Sequence, residues 1–330
     1  MVHAPNWVGD AVLALPALRD LSGSLPENKI WMAARDWVRK VFAGEEFVSG
    51  FISLPRSLSF RGLRRTAGEI RGHKFDAGLL LPNSFGSALI FYWAGIPERW
   101  GYARNGRKIL LTRSVPFPPP LPRKHQWEFY RELVSKLGFS SSKRDFSLTV
   151  SPEEKRWAED TLSSQGINLK KPVAAINPGA YYGAAKRWPP DYYARLSELM
   201  DQAGVQIVII GSPSELPLAE EICRHMSFSP VVMTGKTDIR ELAGILTQAD
   251  LCVTNDSGPM HLANALKIPV VALFGPTDPE VTRPFQSPSS YIQKKPVCWP
   301  CSYRECPFDH RCMKSISPEE VFSLCRKYLQ

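Results

Sequence analysis

Short apolar runs alternate with helix-like stretches along almost the whole chain, and this alternation limits the fold more than any other feature. Parallel β-α-β units require this order of elements, whereas helix bundles and antiparallel β-sandwiches do not. The sequence therefore predicts an α/β fold with parallel sheets. In the second half the predicted strands are residues 173–177, 205–210, 231–234, 251–254 and 270–274.

The first half shows the same alternation, with two predicted helices leading into the second half. Its predicted strands are residues 30–33, 51–54 and 77–81, its predicted helices are residues 11–21, 58–70 and 84–93, and the two connecting helices are residues 126–137 and 152–165. The proline-rich residues 115–122 are predicted to be a loop, because proline lacks a backbone donor and fixes φ. We expect a first Rossmann-like domain over residues 1–160, a second over residues 161–315 and a C-terminal helix over residues 316–330.

Composition places the chain among ordinary globular proteins, since 44% of its residues are apolar and 22% are charged. The longest apolar stretch, residues 85–96, is shorter than the roughly 20 residues that a membrane-spanning helix needs. The N-terminus has no basic start followed by an apolar core, so no export signal is predicted.

The net charge of +9 comes from the first half of the chain, because residues 1–150 contain 22 Lys and Arg against 12 Asp and Glu. Two basic clusters stand out: Arg56, Arg61, Arg64, Arg65, Arg71 and Lys74 in the first, and Arg99, Arg104, Arg107, Lys108 and Arg113 in the second. Such clusters are typical of a surface for nucleic acid, an anionic membrane or a phosphorylated substrate. The alternative is a solvated surface with scattered arginines.

The segment Asn255-Asp256-Ser257-Gly258-Pro259-Met260-His261 links a predicted strand to a predicted helix. The first turn of a helix has unpaired N–H groups and partial positive charge, so this segment predicts a phosphate site that Ser257 and Gly258 allow a ligand to approach. Asp256 would repel phosphate, and we expect it to cap the helix or bind a ligand hydroxyl. His261 either bonds phosphate or ribose, or is half-buried without a role.

Three other loops follow predicted strands of the second half, where a doubly wound sheet binds its ligand. After Asn177, the backbone of Gly179 and Ala180 allows close approach, and Lys186 supplies an ammonium for phosphate or, alternatively, is half of a basic pair before a helix. Gly211 precedes Glu215, which either binds a ribose diol or is a first-turn helix acid. Gly235, Lys236 and Thr237 follow the next strand.

In the first half, Asn6-Trp7-Val8-Gly9-Asp10 opens a helix directly after the first strand. It lacks the G-x-G-x-x-G fingerprint, so a nicotinamide cofactor is disfavoured. Asp10 is a candidate general base, and the alternative is a first-turn helix acid. No H-E-x-x-H, P-loop or D-x-D sequence indicates metal-dependent nucleotidyl chemistry.

Four of the seven cysteines lie close together near the C-terminus: Cys298, Cys301, Cys306 and Cys312, with His310 between the last two. They indicate either a structural zinc or iron–sulfur site, or reduced or disulfide-paired cysteines. The odd number of cysteines favours a reducing compartment.

Together these segments resemble the ADP-heptose:lipopolysaccharide heptosyltransferases. The resemblance spans almost the whole chain and is carried by Asn6 to Asp10 with Leu15-Pro16-Ala17-Leu18, by Asn177 to Ala180 with Lys186-Arg187-Trp188-Pro189, and by Asn255 to His261 with residues 272–277. Asn-Trp before Gly-Asp, and Lys-Arg-Trp-Pro, indicate the heptosyltransferase II group. The resemblance implies a GT-B architecture, with two Rossmann-like doubly wound domains facing a central cleft.

The resemblance also implies inverting, metal-independent transfer of heptose from ADP-L-glycero-D-manno-heptose to an inner-core heptose, with the acceptor on the first domain and the ADP-sugar on the second. Asp10 would be the base, Lys186 the donor-phosphate cation, and residues 256–261 the donor-holding loop. Glu215 and Thr237 would contact adenosine. The expected acceptor-binding residues are Asn6, Trp7, Arg61, Arg64 and Arg104.

No cofactor is expected apart from the donor substrate, and no nucleic acid. The implied partner is the anionic lipid A core, which places a cytoplasmic enzyme peripherally on the inner face of the inner membrane. The sequence does not determine the oligomeric state, and a monomer is favoured. The competing hypotheses are heptosyltransferase I or III, a nucleotide-sugar epimerase, or a non-catalytic nucleotide-binding protein with a basic face for RNA or membrane.

Overall fold

The computed structural model describes residues 1–55, 59–119, 124–139, 146–286 and 288–329. The chain forms two compact units, Met1–Phe146 and Ser147–Gln330. Some residues used in the sequence predictions, Arg56, Leu58 and residues 120–122, lie outside the described ranges.

The first unit contains one parallel six-stranded sheet in the order β3-β2-β1-β4-β5-β6. Its strands are Val2–His3 (β1), Ile30–Ala34 (β2), Val48–Ser53 (β3), Ala77–Leu80 (β4), Glu98–Ala103 (β5) and Arg113–Pro116 (β6). Its helices are Val8–Ser24 (α1), Asp36–Phe42 (α2), Phe60–Gly72 (α3), Phe85–Trp93 (α4) and Gln126–Lys136 (α5), with a 3₁₀ turn at Arg107–Leu110.

Helix α1 is apolar on nearly all sides, because it packs between the sheet and α5. Its one deeply buried carboxylate, Asp20, forms an ion pair with Arg131 of α5 at 2.7 Å. Breaking such a pair would leave a buried charge, so it fixes how α1 and α5 pack.

The second unit contains a second parallel six-stranded sheet, in the order β12-β11-β10-β7-β8-β9. Its strands are Val173–Asn177 (β7), Gln206–Ile209 (β8), Val231–Val232 (β9), Leu251–Asn255 (β10), Val270–Phe274 (β11) and Ser289–Gln293 (β12). Its helices are Pro152–Ser164 (α6), Pro190–Gln202 (α7), Leu216–Arg224 (α8), Ile239–Thr247 (α9), Gly258–Ala265 (α10), Pro279–Thr282 (α11), Arg311–Lys314 (α12) and Pro318–Cys325 (α13), with 3₁₀ turns at Ala184–Lys186 and Pro213–Glu215.

Helix α6 belongs to the second unit, although the sequence-based division placed most of it in the first domain. It packs on α9, where Gly244 lies against the backbone of Glu154, and Glu154 pairs with Arg240 at 2.5 Å. Helix α13, inside the predicted C-terminal helix, packs on α7 of the same unit.

The predicted α/β fold is confirmed, and β7 and β11 have the predicted bounds. Strands β5, β6 and β12 were missed because their sequences are polar or charged. Val115 and Pro116 were predicted to begin the proline-rich loop, but they are the last two residues of β6. That strand lies at the sheet edge, where proline's missing N–H breaks no ladder. In the described ranges no helix is long and apolar enough to cross a membrane.

Candidate functional site

Each sheet reverses its strand order once, and candidate site residues follow the strands beside that point. In the second sheet the reversal lies between β7 and β10, and in the first it lies between β1 and β4. The loops after two such neighbouring strands diverge, which opens a crevice at the carboxyl ends of the strands where open α/β sheets bind ligands.

A hydrogen-bond network joins the ends of β7 and β10. The Asn177 amide donates to the hydroxyl of Thr254 at 3.1 Å and to that of Ser257 at 2.9 Å. Ser257 is the N-cap residue of α10, but its side chain makes no capping bond. The first-turn N–H groups of α10, beginning at Gly258, are therefore not capped by Ser257, and they are the type of donor that binds phosphate.

Asp256 is engaged by side chains from two neighbouring loops, which the sequence-based expectation of a helix cap or a contact to a ligand hydroxyl did not include. Its buried carboxylate pairs with the Lys186 ammonium at 2.5 Å and accepts a bond from the Thr277 hydroxyl at 2.7 Å. Burial by itself raises the pKa of this carboxyl, but the charge and bond of Lys186, the Thr277 bond and the charge of His261 together hold it below its usual value. Asp256 is thus ionised at neutral pH.

Asn255 is a site residue that the sequence reasoning missed, although it stands inside the segment analysed. Its side-chain oxygen accepts bonds from the Trp188 N–H and the Tyr193 hydroxyl, and its amide donates to the Pro178 and Gly179 carbonyls. The residue is fully buried. One amide therefore fixes the course of the loop that carries Lys186. A buried Asn directly after an apolar strand was the available signal, since buried amides require partners.

Glu215 lies against Gly179, so the loops after β7 and β8 meet. A Cβ at position 179 would lie 1.8 Å from the Glu215 carboxylate. That carboxylate accepts bonds from the N–H and hydroxyl of Ser212, at 2.7 and 2.8 Å. The sequence predicted that a ligand approaches the backbone at Gly179. In this structure the Glu215 carboxylate lies against Gly179, and the neighbouring Ala180 is buried.

The remaining predicted donor residues lie on the same edge of the second sheet. The Gly235 N–H donates to the Gly211 carbonyl at 2.9 Å, which joins the loops after β8 and β9. Lys236 is exposed and Thr237 is half-buried. His261, in the first turn of α10, is buried close enough to Asp256 for its charge to lower the pKa of that carboxyl.

In the first unit, Asp10 lies half-buried in the first turn of α1, after the exposed N-cap residue Trp7. The carbonyl of Asn6 accepts a bond from the Trp37 indole at 3.4 Å. Burial raises the pKa of the Tyr130 hydroxyl well above its usual value, and the charge of Asp10 raises it further. The Asp10 carboxylate is therefore close enough to the Tyr130 hydroxyl for its charge to act on that group.

A cavity of about 130 Å³ lies at the same edge of the first sheet. It is lined by Leu81, Asn83, Tyr102, Arg104, Phe117, Gln126, Phe129 and Tyr130. The Arg104 guanidinium stands 4.0 Å from the centre of the Phe117 ring. Aromatic faces, two amides and a guanidinium suit a sugar with an anionic substituent. Arg61 and Arg64 do not line this cavity and lie exposed on α3.

Arg107 is not part of a basic surface, contrary to the sequence interpretation of residues 99–113. It is fully buried and donates to the Tyr102 carbonyl at 2.8 Å, the Asn83 side chain at 3.0 Å and the Pro82 carbonyl. Burial lowers the pKa of Arg107 to about 10. Its contribution is to hold two lining residues of the cavity in place.

The four clustered cysteines surround a void of about 10 Å³ together with His310. All are free thiols. Across the described ranges no three His, Cys, Asp or Glu side chains are arranged to hold a metal ion, so the predicted zinc or iron–sulfur site gains no support.

Comparison with known proteins supports the fold described above. The sequence profile of glycosyltransferase family 9 (heptosyltransferase) matches residues 63–311. Lipopolysaccharide heptosyltransferase 2 of Escherichia coli K12 is 30% identical over 89% of this chain and 87% of its own length.

Two solved structures align over nearly the whole chain. E. coli ADP-heptose lipopolysaccharide heptosyltransferase II has a TM-score of 0.85 at 27% identity, covering 99% of this chain and 97% of the other. A family 9 glycosyltransferase of Veillonella parvula has a TM-score of 0.89 at 22% identity, covering 99% and 96%, and it supports the fold alone.

Proposed function

Because the chain belongs to glycosyltransferase family 9 and is a glycosyltransferase of GT-B fold, we propose that it transfers heptose from ADP-heptose to the heptose of a lipopolysaccharide inner core. Similarity to heptosyltransferase II supports this choice of substrates. The observation that carries it is the Asn177, Lys186 and Asp256 arrangement at the strand-order reversal of the second sheet.

The second unit would bind the donor. A diphosphate at the first turn of α10 would meet backbone N–H groups and the Lys186 ammonium, which are the groups that stabilise a departing ADP. In the proposal, the Lys186 ammonium and the first turn of α10 supply this positive charge, and no metal ion takes part. Glu215 and Thr237 are the proposed adenosine contacts, and Ser257, Gly258 and His261 the proposed phosphate and sugar contacts.

The first unit would bind the acceptor in the cavity beside Asp10. In the proposed step the Asp10 carboxylate removes the proton from an acceptor hydroxyl, whose oxygen attacks the anomeric carbon as the bond to ADP breaks. A single displacement inverts the configuration at that carbon. Transfer requires that the acceptor held by one unit meets the donor held by the other.

An aromatic and basic surface of the first unit supports the proposed association with an anionic bilayer. Phe60 and Ile109 are 62% and 82% exposed. Arg64 stands over the Phe60 ring, and Arg99 stands over the exposed Tyr92 ring. Exposed apolar side chains beside arginines are suited to the headgroup region of an anionic membrane. Cosedimentation with phosphatidylglycerol vesicles, but not with phosphatidylcholine vesicles, is expected.

Mass spectrometry of a reaction with ADP-heptose and a heptose-terminated core oligosaccharide tests the function. We expect ADP release together with a mass gain of one heptose on the acceptor. Acceptors that end in Kdo, or that already contain two heptoses, separate heptosyltransferase I and III activities. Failure of the heptose-terminated acceptor with ADP-heptose, or conversion of the sugar without transfer, would contradict the proposal.

A further inference from the structure

The four-cysteine segment has no role in the proposed chemistry, yet it contacts both loops that hold Asp256. Residues 294–310, here called the cysteine loop, connect β12 to α12 and contain three of the four clustered cysteines, while Cys312 lies in α12. Residues 178–188, here called the Lys186 loop, follow β7, and the third relevant segment is Pro276-Thr277 after β11. The Asp256 carboxylate accepts bonds from Lys186 of the Lys186 loop and from Thr277 of the third segment.

Three hydrogen bonds attach the cysteine loop to the Lys186 loop directly beside Lys186. The Ala185 N–H donates to the Arg304 carbonyl at 2.9 Å, and the His310 Nε2 bonds the Ala185 carbonyl at 2.8 Å. The Tyr182 hydroxyl donates to the Ser302 carbonyl at 2.8 Å. Both backbone polar groups of the residue before Lys186 are therefore satisfied by the cysteine loop.

The two loops are also in direct backbone contact at Gly183. A Cβ on Gly183 would lie 2.2 Å from the Arg304 carbonyl oxygen, which is closer than any side chain allows. The φ of 164° at Gly183 is ordinary extended backbone, so this glycine is required for space and not for conformation. Tyr182 lies between the loops, with Lys186 on its ring at 4.9 Å and Arg304 at 5.2 Å.

The cysteine loop bonds the third segment in the same way. The Pro276 carbonyl accepts bonds from the N–H groups of Cys301 and Ser302, at 3.2 and 3.1 Å. The Thr277 carbonyl accepts a bond from the Trp299 indole at 3.2 Å. The loop therefore fixes the backbone on both sides of the Asp256 carboxylate.

We propose that the cysteine loop is a positioning element of the donor site, in which His310, Tyr182 and the Gly183–Arg304 contact hold Lys186 against Asp256. This inference rests on the proposed function for its consequence in ADP binding, but not for its geometry. Loss of these contacts releases Lys186 from its pair and lowers the affinity for ADP, because a mobile loop must be ordered when the diphosphate binds.

Three variants test the proposal with two measurements. Gly183→Ala adds one methyl group at the contact, and Gly86→Ala, at a site with open space, is its control. His310→Gly removes the donor without straining the backbone, since His310 has a φ of 61°, and His310→Gln restores a donor. Tyr182→Phe removes a single hydroxyl and is the mildest change.

Reductive methylation followed by mass spectrometry measures the accessibility of Lys186, with the exposed Lys155 as internal reference, and calorimetry measures ADP binding. We expect Lys186 labelling to rise several-fold in Gly183→Ala and His310→Gly, ADP affinity to fall about tenfold, and His310→Gln to recover most of both. Unchanged Lys186 labelling in the folded variants, including Tyr182→Phe, would overturn the proposal. If labelling rises but the wild-type protein does not bind ADP, the positioning role stands and the proposed function fails.

Discussion

The site edges of the two units differ in the side chains that line them. In the second unit Asn177, Asn255 and Asp256 are engaged with neighbouring loops before any ligand binds. The corresponding edge of the first unit contains a cavity of about 130 Å³, which is lined by aromatic rings and by Arg104.

The difference suggests how the two proposed substrates are recognised. A site whose loops are fixed by hydrogen bonds loses little entropy on binding, and this suits a ligand of constant shape such as a nucleotide diphosphate. An open aromatic cavity adapts to a sugar whose surroundings vary. Changes at Asp10 or in the cavity lining of the first unit should then affect turnover and acceptor binding, whereas changes at the Lys186–Asp256 pair of the second unit should affect folding and ADP binding.

The largest effect is expected at Asp10. Asp10→Asn removes the proposed base while keeping its size, so turnover should fall about 10³-fold, which corresponds to about 4 kcal/mol of barrier. ADP affinity should not change. Steady-state ADP release and calorimetric titration measure the two quantities.

Asp36→Asn is the matched control for Asp10, because Asp36 is also a first-turn helix acid of the first unit and is exposed. The Asp36→Asn variant should release ADP at the wild-type rate. Near wild-type turnover of Asp10→Asn would show that another group takes the proton.

The next effect concerns the Lys186–Asp256 pair. Lys186→Met leaves a buried carboxylate without its cation and should lower the free energy of unfolding at pH 7 by about 3–4 kcal/mol. Lys155→Met, on the exposed face of α6, should cost almost nothing. Urea denaturation measures both, and equal stability of the two variants would contradict the importance of the pair.

The sign of the pH dependence follows from the lowered pKa of Asp256. In the wild-type protein the ionised carboxylate contributes stability above its unfolded pKa, and this contribution disappears as pH falls through the folded value. In Lys186→Met burial instead favours the neutral acid. The stability deficit of the variant should therefore shrink between pH 7 and pH 5.

A buried histidine should make the first unit sensitive to acid. Burial lowers the pKa of His3 to about 4, with the charges of Arg107 and Arg35 contributing. Stability is full above the unfolded pKa of 6.5, and about 3 kcal/mol should be lost as pH falls to 4. His3→Phe should remove this part of the acid dependence, measured by urea denaturation at both pH values. Parallel pH profiles for the two proteins would refute the assignment.

The smallest expected effect is at Arg104. Arg104→Ala should raise the acceptor KM about tenfold with little change in kcat, the loss expected for one charge-assisted bond. Arg39→Ala is the matched control, because Arg39 also stands over a phenylalanine ring of the first unit, that of Phe51. An unchanged KM for a phosphorylated acceptor would remove Arg104 from the acceptor site.

The sequence predicted the fold and the segments of the site better than the pairing within the site. Apolar strands such as β7 and β11 are recognisable because burial on both faces makes them continuous apolar runs. The polar edge strand β12 has no such pattern, because its residues are only partly buried. Among the strands, a continuous apolar pattern thus identifies those that are buried on both faces.

The partners of the site residues depend on contacts between distant segments, and no local pattern contains them. Lys186 and Asp256 were both identified, but for separate tasks, since they stand 70 positions apart in the sequence. Arg107 was interpreted as surface charge because its carbonyl partners, such as that of Tyr102, become available only after folding. Spacing along the chain does not determine which charges are neutralised.

The contact between Gly179 and Glu215 has an evolutionary consequence. Any side chain at position 179 would occupy the space of the Glu215 carboxylate, so a change at position 179 requires this carboxylate to move or to be lost, whereas Glu215 can change while Gly179 is kept. A displaced carboxylate, or a shorter residue at position 215, would give up the bonds to Ser212. Along a line of descent, a substitution at position 179 should therefore be accompanied by a rearrangement or a substitution of Glu215.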